Sequence, residues 1–204
     1  MKTRNKALVL TLCAVLLVVA TVMGTMAYLT STDTVTNTFT VGKVALTLDE
    51  AKVNTDGTPA ANADRVKENA YKLIPGHSYT KDPTVHVTAD SEDSYIFVKV
   101  ENGIAALEAA KVENVYQPIA DQITTNGWTA LDGVTGVYYK VYANGQPEKD
   151  MKVFNDFTIA DDASTRDAWN NVGSDTKVTV TAYAVQKEGF ADAKAAWDAT
   201  FGNG

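Results

Sequence analysis

The chain has 204 residues, and its 18 Lys and Arg against 25 Asp and Glu give a net charge of −7 at neutral pH. An acidic chain of this kind lacks the basic footprint of a nucleic-acid-binding protein. Its 45% of hydrophobic residues also exclude an intrinsically disordered chain. The length allows one or two domains.

Residues 1–27 have the features of a signal peptide. Three basic residues fall within the first six positions, and an uncharged, mostly apolar run follows over residues 7–26. A basic start before an apolar stretch and a small-residue cleavage site is typical of export signals. The small residues Thr25 and Ala27 occupy the positions that a signal peptidase requires, so we expect a mature chain that begins at Tyr28. An uncut membrane anchor is the alternative, because about 20 apolar residues can span a bilayer.

The cysteine content constrains how the mature chain is stabilised. Cys13 is the only cysteine, and it lies within the predicted signal. The mature chain must therefore fold outside the cell without disulfides. The same absence excludes cysteine nucleophiles and thiolate zinc sites from it.

Along the mature chain, hydrophobic residues mostly alternate with polar ones, which is the period of a β-strand. This alternation predicts strands around residues 44–48, 84–88 and 95–101, and further strands over Val137–Tyr142, Met151–Ile159 and Val178–Gln186. Turns are marked by Ile74–His77 and by the Asn126-Gly127, Asp132-Gly133 and Asn144-Gly145 pairs. About six to nine short strands are typical of a sandwich. We therefore predict an all-β fold, a jelly-roll-like β-sandwich, over residues 42–204.

Helical spacing is confined to short segments. Phe190, Ala193, Trp197 and Phe201 lie on one helical face before Gly202, which predicts a C-terminal amphipathic helix packed onto the sandwich. Residues 104–115 are rich in Ala, Glu and Lys and predict a second, short helical excursion. The polar segment 54–69 predicts a surface loop.

Catalytic patterns are missing from the sequence. Its two histidines, His77 and His86, are not part of an H-E-x-x-H motif, and no phosphate-binding loop is present. His77 and Ser78 are adjacent on an extended segment, so their side chains point in opposite directions and cannot form a base and nucleophile pair. We predict no catalytic residue, no cofactor and no enzymatic activity.

One acidic cluster has two interpretations. Asp90, Glu92 and Asp93 are close enough in sequence to hold a calcium ion. They lack the glycine and the distal glutamate of an EF-hand loop. A solvated turn is the alternative.

Three segments resemble the TasA/camelysin family. Residues 25–46 resemble its export junction, in which a signal cut by a dedicated SipW-type signal peptidase precedes a Thr- and Ser-rich segment and the pattern T-F-x-x-G-x-x-x-L. Residues 73–82 resemble the family's L-x-P-G-x-x-x-x-K turn, which leads into a strand. Val178–Gln186 resembles its terminal core strand.

The resemblance implies a secreted jelly-roll protein of the cell surface or biofilm extracellular matrix. Family members are structural subunits that form homo-oligomeric fibres by donor-strand complementation, in which the segment freed by signal cleavage fills a groove in the next subunit. Membrane contact is then limited to the signal segment before cleavage. The C-terminal aromatic helix and a shorter middle region depart from the better-known fibre subunits.

Residues 28–41 have the composition expected of such a donor strand. Leu29, Val35, Phe39 and Val41 share one parity, and no proline interrupts the segment. An added strand gains affinity from backbone hydrogen bonds and specificity from alternate side chains. A flexible or self-paired N-terminus is the alternative.

Three functions therefore compete. A matrix-fibre subunit ranks first, and a monomeric surface adhesin or carbohydrate-binding module second. The binding module predicts a groove lined by aromatic residues such as Trp128, Tyr138 or Tyr142. A secreted protease, which would need a metal site, ranks third.

Overall fold

The computed structural model describes residues 5–6, 9–18, 43–61, 64–113, 115–146, 150–162, 165–173 and 176–202. The chain divides into two compact units, Met1–Thr40 and Val41–Gly204. In the first unit, helix α1 covers residues 9–18. Among the described residues, no helix is long and apolar enough to cross a membrane. The predicted cleavage residues Thr25, Ala27 and Tyr28, and the predicted donor residues Leu29, Val35, Phe39 and Val41, lie outside the described residues.

The second unit is rich in β-strands. The strands are β1 (Leu46–Ala51), β2 (Arg65–Val66), β3 (Ser78–Thr80), β4 (Thr84–Val87), β5 (Ser94–Asn102), β6 (Thr129–Ala130), β7 (Val137–Tyr142), β8 (Asp150–Lys152), β9 (Asp156–Thr158) and β10 (Val178–Gln186). The helices are α2 (Ile119–Thr125), α3 (Arg166–Trp169) and α4 (Ala193–Phe201), with a 3-10 turn over Ala105–Leu107.

These strands form open antiparallel sheets. One four-stranded sheet has the order β2-β1-β4-β8, a second has the order β10-β5-β7-β6, and β3 pairs with β9. The longest pairing joins β5 and β10, with Val178 opposite Asn102 and Gln186 opposite Ser94. We call the sheet containing β1 the first sheet and the sheet containing β10 the second sheet.

The two four-stranded sheets share one core. Ile96 and Val98 on β5 are fully buried in the same cluster as Val85 and Val87 on β4. Successive side chains of a strand point to opposite faces, so one face of each sheet supplies this shared core. The strands predicted around residues 84–88 and 95–101 are thus confirmed.

A smaller core lies on the other face of the second sheet. Phe97 alternates with Ile96 and Val98 and packs against Trp197 of α4, with ring centroids 5.2 Å apart. The predicted C-terminal helix is confirmed, although it begins at Ala193. It begins there because Asp192 caps it by accepting a hydrogen bond from the backbone of Ala195 at 2.8 Å.

Two predicted elements are wrong. The strand predicted over Met151–Ile159 is divided into β8, which pairs with β4, and β9, which pairs with β3. Val153 and Phe154 between them are both fully buried although adjacent, so the strict alternation of one half-buried strand is broken there. The helix predicted over residues 104–115 is reduced to the 3-10 turn, in which Leu107 is the buried residue.

The Pro-Gly turn predicted at Ile74–His77 is confirmed. The backbone N–H of His77 donates to the carbonyl of Ile74 at 3.2 Å, and Gly76 has a φ of 75°. A positive φ at the third position defines a type II turn and favours glycine there.

Candidate functional site

A groove with a volume of about 930 Å³ lies between β1 and β10 in the second unit. We call it the β1/β10 groove. Val178, Val180 and Ala182 line it from β10, and Leu48 lines it from β1. These four side chains also pack against the shared core. The groove therefore opens onto the apolar interior between the two sheets.

The backbone of β10 faces this groove with unused hydrogen-bonding groups. Lys177 accepts a bond from Gly103 at 2.8 Å, and the N–H of Lys187 donates to Asp93 at 2.8 Å. In an antiparallel pair, bonded and non-bonded residues alternate, so the odd-numbered residues of β10 bond to β5. The N–H and C=O groups of Val178, Val180 and Ala182 point away from β5, and no described residue bonds to them.

The edge of β1 that borders the groove has fewer unpaired backbone groups than β10. The N–H of Thr88 donates to the carbonyl of Ala45, so the odd-numbered residues of β1 bond to β4. The backbone groups of Leu46 and Leu48 therefore point away from β4, and Leu48 lines the groove. Lys67 covers one group by donating to the carbonyl of Leu48 at 2.5 Å. β2 pairs only with the end of β1, at Glu50 and Ala51.

The opposite edge of the first sheet is covered instead. The indole N–H of Trp128 donates to the carbonyl of Lys152 in β8 at 2.8 Å. The amide of Asn126 donates to the carbonyl of Val153 at 3.1 Å. Exposed strand edges are templates for pairing with another chain, so the difference between the two edges identifies the β1/β10 groove as the candidate site.

A polar cluster closes one end of the groove. Glu50 and Lys81, 4% and 9% exposed, form an ion pair of 2.5 Å, and Lys81 lies over the ring of Tyr71 at 5.9 Å. Asn69 donates to the second carboxylate oxygen of Glu50 at 2.9 Å. Burial, with the nearby negative charge of Glu50, raises the pKa of the Tyr71 hydroxyl well above its ordinary value.

A separate charged network lies on the outer face of the first sheet. The ring nitrogens of His86 bond to Asp150 at 2.7 Å and to Asp49 at 2.8 Å, and Arg65 also binds Asp49. Burial lowers the pKa of His86, but the bonds to Asp150 and Asp49 outweigh it, so the pKa is raised above its ordinary value. Both ring nitrogens donate only in the protonated imidazole, so the geometry favours the charged form.

The two histidines are held by different partners. His77 bonds through Nε2 to the carbonyl of Asp56 at 2.7 Å, whereas His86 belongs to the network on the first sheet. Among the described residues, no group of three His, Cys, Asp or Glu side chains is arranged to hold a metal ion.

The predicted calcium residues lie on a turn before β5. Asp90 pairs with Lys43 at 3.1 Å, and Asp93 accepts from the backbone of Asn144 at 2.8 Å. Glu92 is exposed. Two of the three carboxylates are thus engaged with protein donors.

The aromatic residues proposed for a carbohydrate groove are not gathered at the surface. Trp128 and Tyr142 are 2% and 0% exposed and belong to the shared core, while Tyr138 is half-buried. The expectation that they line an open groove is wrong for Trp128 and Tyr142, because the alternation of β7 turns Tyr142 inward.

Sequence reasoning found β10 but missed the groove beside it. The alternation of Val178, Val180 and Ala182 with Thr179 and Thr181 predicts a strand with one apolar face. It does not show that one edge of that strand is left without a neighbour. In comparisons with known proteins, no family model, no curated protein and no solved structure matches the chain.

Proposed function

We propose that this chain is a secreted structural subunit of the cell surface or biofilm matrix that assembles into fibres by donor-strand complementation. Residues 28–41 of one copy fill the β1/β10 groove of the next copy. The observation that carries the proposal is the open edge of β10, whose backbone groups and apolar side chains face the same groove.

The pattern of the donor segment fits this acceptor. Its odd-numbered positions hold the apolar residues Leu29, Val35, Phe39 and Val41 together with the polar residues Ser31, Asp33 and Asn37, and from residue 30 to residue 40 every even-numbered position is threonine. A strand beside β10 places one parity towards the core and the other towards solvent. The neighbouring Thr179 and Thr181 of β10 are exposed, so the threonines of the donor extend an already polar face.

The balance of energies makes the apolar residues decisive. Each fully buried apolar side chain contributes about 1.5–3 kcal/mol, and each backbone hydrogen bond adds about 0.5–1.5 kcal/mol net. Ordering the segment costs about 1–2 kcal/mol per residue. The joint is therefore held by a few side chains, and losing two of them removes it.

The inserted strand also completes the fold that we propose, a jelly-roll-like β-sandwich. Two antiparallel sheets around one shared core support this architecture. The gap between β1 and β10 lies where a further strand would join the sheets on their open side.

Signal cleavage during export controls when assembly begins. Before cleavage, the predicted signal holds the donor segment at the membrane. Cleavage after Ala27 by a SipW-type signal peptidase frees Tyr28 and the residues that follow it, so fibres grow only outside the cell.

The test is a pair of double substitutions in the donor segment. Leu29→Asp with Val35→Asp places charges on the parity that faces the core, and we expect a folded monomer by size-exclusion chromatography with light scattering. Thr30→Asp with Thr36→Asp is the matched control on the opposite parity, and it should still assemble. Equal assembly of both variants would contradict the proposal.

A further inference from the structure

Three side chains of complementary chemistry meet at the closed end of the β1/β10 groove. Lys81 offers a primary amine, Asn69 a carboxamide and Glu50 a carboxylate. The amine Nζ donates to Glu50 Oε2 at 2.5 Å, and Asn69 Nδ2 donates to Glu50 Oε1 at 2.9 Å. One carboxylate thus bridges the two nitrogens.

The cluster is buried beside two aromatic rings. Glu50 and Lys81 are both buried, and Tyr71 and Phe157 pack beside them with ring centroids 5.3 Å apart. The attacking group must be the neutral amine, which is the nucleophilic form of a lysine, and Glu50 Oε2 is the hydrogen-bonded acceptor placed to take the proton of Lys81 Nζ.

Hydrogen bonds position the carboxamide of Asn69 so that its carbon, Cγ, can accept a nucleophile. Its Oδ1 accepts a hydrogen bond from the backbone N–H of Val53 at 3.0 Å, which stabilises negative charge developing on that oxygen. Its Nδ2 also donates to the carbonyl of Ala51 at 2.9 Å. The nitrogen that would leave is therefore the atom next to Glu50.

We propose that Lys81 and Asn69 form an intramolecular isopeptide bond, with Glu50 as the catalytic residue. Glu50 takes a proton from the Lys81 ammonium, and the neutral Nζ attacks Cγ of Asn69. The Nζ–Cγ bond forms and the Cγ–Nδ2 bond breaks. Glu50 delivers a proton to Nδ2 while Nζ loses one, and ammonia leaves, taking up the remaining proton as ammonium. No atom is oxidised or reduced, so no co-reactant is needed.

The bond would give the mature chain a covalent cross-link that does not depend on cysteine. It closes a ring of residues 69–81 that contains the Ile74–His77 turn and β3. Reducing agents do not cleave an amide, so this cross-link persists in any redox environment. The inference is independent of fibre assembly, since its residues all belong to one copy.

Mass spectrometry of the full secreted chain tests the proposal. We expect the intact folded protein to be lighter than its sequence mass by one ammonia molecule. Proteolytic mapping should then recover the peptide containing Asn69 joined to the peptide containing Lys81. That joined peptide distinguishes the bond from cyclisation of Asn69 alone, which also loses ammonia.

Two variants and a control complete the test. Lys81→Arg keeps the positive charge but has no amine nucleophile, and Glu50→Gln removes the proton carrier, so both should show the full sequence mass. Lys99→Arg changes a half-buried lysine of the second sheet far from Asn69 in sequence, and this variant should still lose ammonia. A wild-type chain with native circular dichroism and the full sequence mass would overturn the proposal, as would ammonia loss that persists in Lys81→Arg.

Discussion

Two neighbouring proline substitutions in β10 should have opposite effects. Val180→Pro removes an N–H that points into the β1/β10 groove, whereas Thr181→Pro removes one that bonds to β5 opposite Lys99. Proline is tolerated on an edge strand where its nitrogen faces away from the ladder, but not within the ladder. We therefore expect Val180→Pro to fold without assembling, and Thr181→Pro to be destabilised.

The magnitudes follow from the bonds that each substitution breaks. Thr181→Pro leaves the carbonyl of Lys99 without its donor, which costs about 1–3 kcal/mol. Each kcal/mol lowers the Tm of a domain of this size by roughly 2–4 °C, so the fall should be between roughly 2 and 12 °C. Val180→Pro breaks no bond to β5 and trims a half-buried side chain, at a cost of about 1 kcal/mol.

Thermal unfolding followed by circular dichroism measures the stability of both variants, and light scattering measures their assembly. The proline ring at residue 180 lies where the backbone of a donor strand would approach, so assembly should fail although the fold remains. Assembly of Val180→Pro at the wild-type level would refute the acceptor role of β10. Equal destabilisation of the two variants would refute the assigned direction of the β10 backbone.

Two further predictions concern stability. Because the folded-state pKa of His86 is raised, its stabilising charge is fully present below about pH 6.5 and is lost as the pH rises through the raised value. The loss of free energy of unfolding in His86→Gln, measured by urea denaturation, should therefore be larger at about pH 6 than at about pH 8.5; a larger loss at the higher pH would contradict this. Gly57→Ala should be more destabilising than Gly145→Ala. Both glycines have a positive φ, which costs an alanine about 1–2 kcal/mol. A Cβ at Gly57 would lie 2.7 Å from Cα of Tyr79, whereas a Cβ at Gly145 would meet no atom of the described residues within 4 Å beyond its chain neighbours. Equal Tm values for these two variants would show that the contact with Tyr79 does not matter.

The local pattern predicted the regular strands well. Val137–Tyr142 and Val178–Gln186 are confirmed to the residue, because β-branched and aromatic residues suit a pleated, half-buried surface. Helix α2 was missed, although Ile119, Gln122 and Ile123 are buried at helical spacing. Because Gln122 is polar, the sequence does not show a continuous apolar helical face. The Gln122 side chain is nevertheless buried, since its amide bonds to the backbone of residues 155 and 156 near β9.

The groove depends on contacts that no local pattern contains. β10 is an edge strand because β5 is its one partner among the described strands, and β5 precedes it by more than 70 residues. The Glu50 and Lys81 pair likewise joins residues 31 positions apart. Lysine and glutamate are usually exposed, so neither residue type signals burial by itself.

Negative-stain electron microscopy of the purified mature chain tests the central claim most directly. Chains that begin at Tyr28 should form filaments at high concentration, and chains lacking residues 28–35 should remain folded monomers under the same conditions. Filaments of undiminished length from the shortened chain would contradict donor-strand assembly. A complete mature chain that stays monomeric would contradict the role as a fibre subunit.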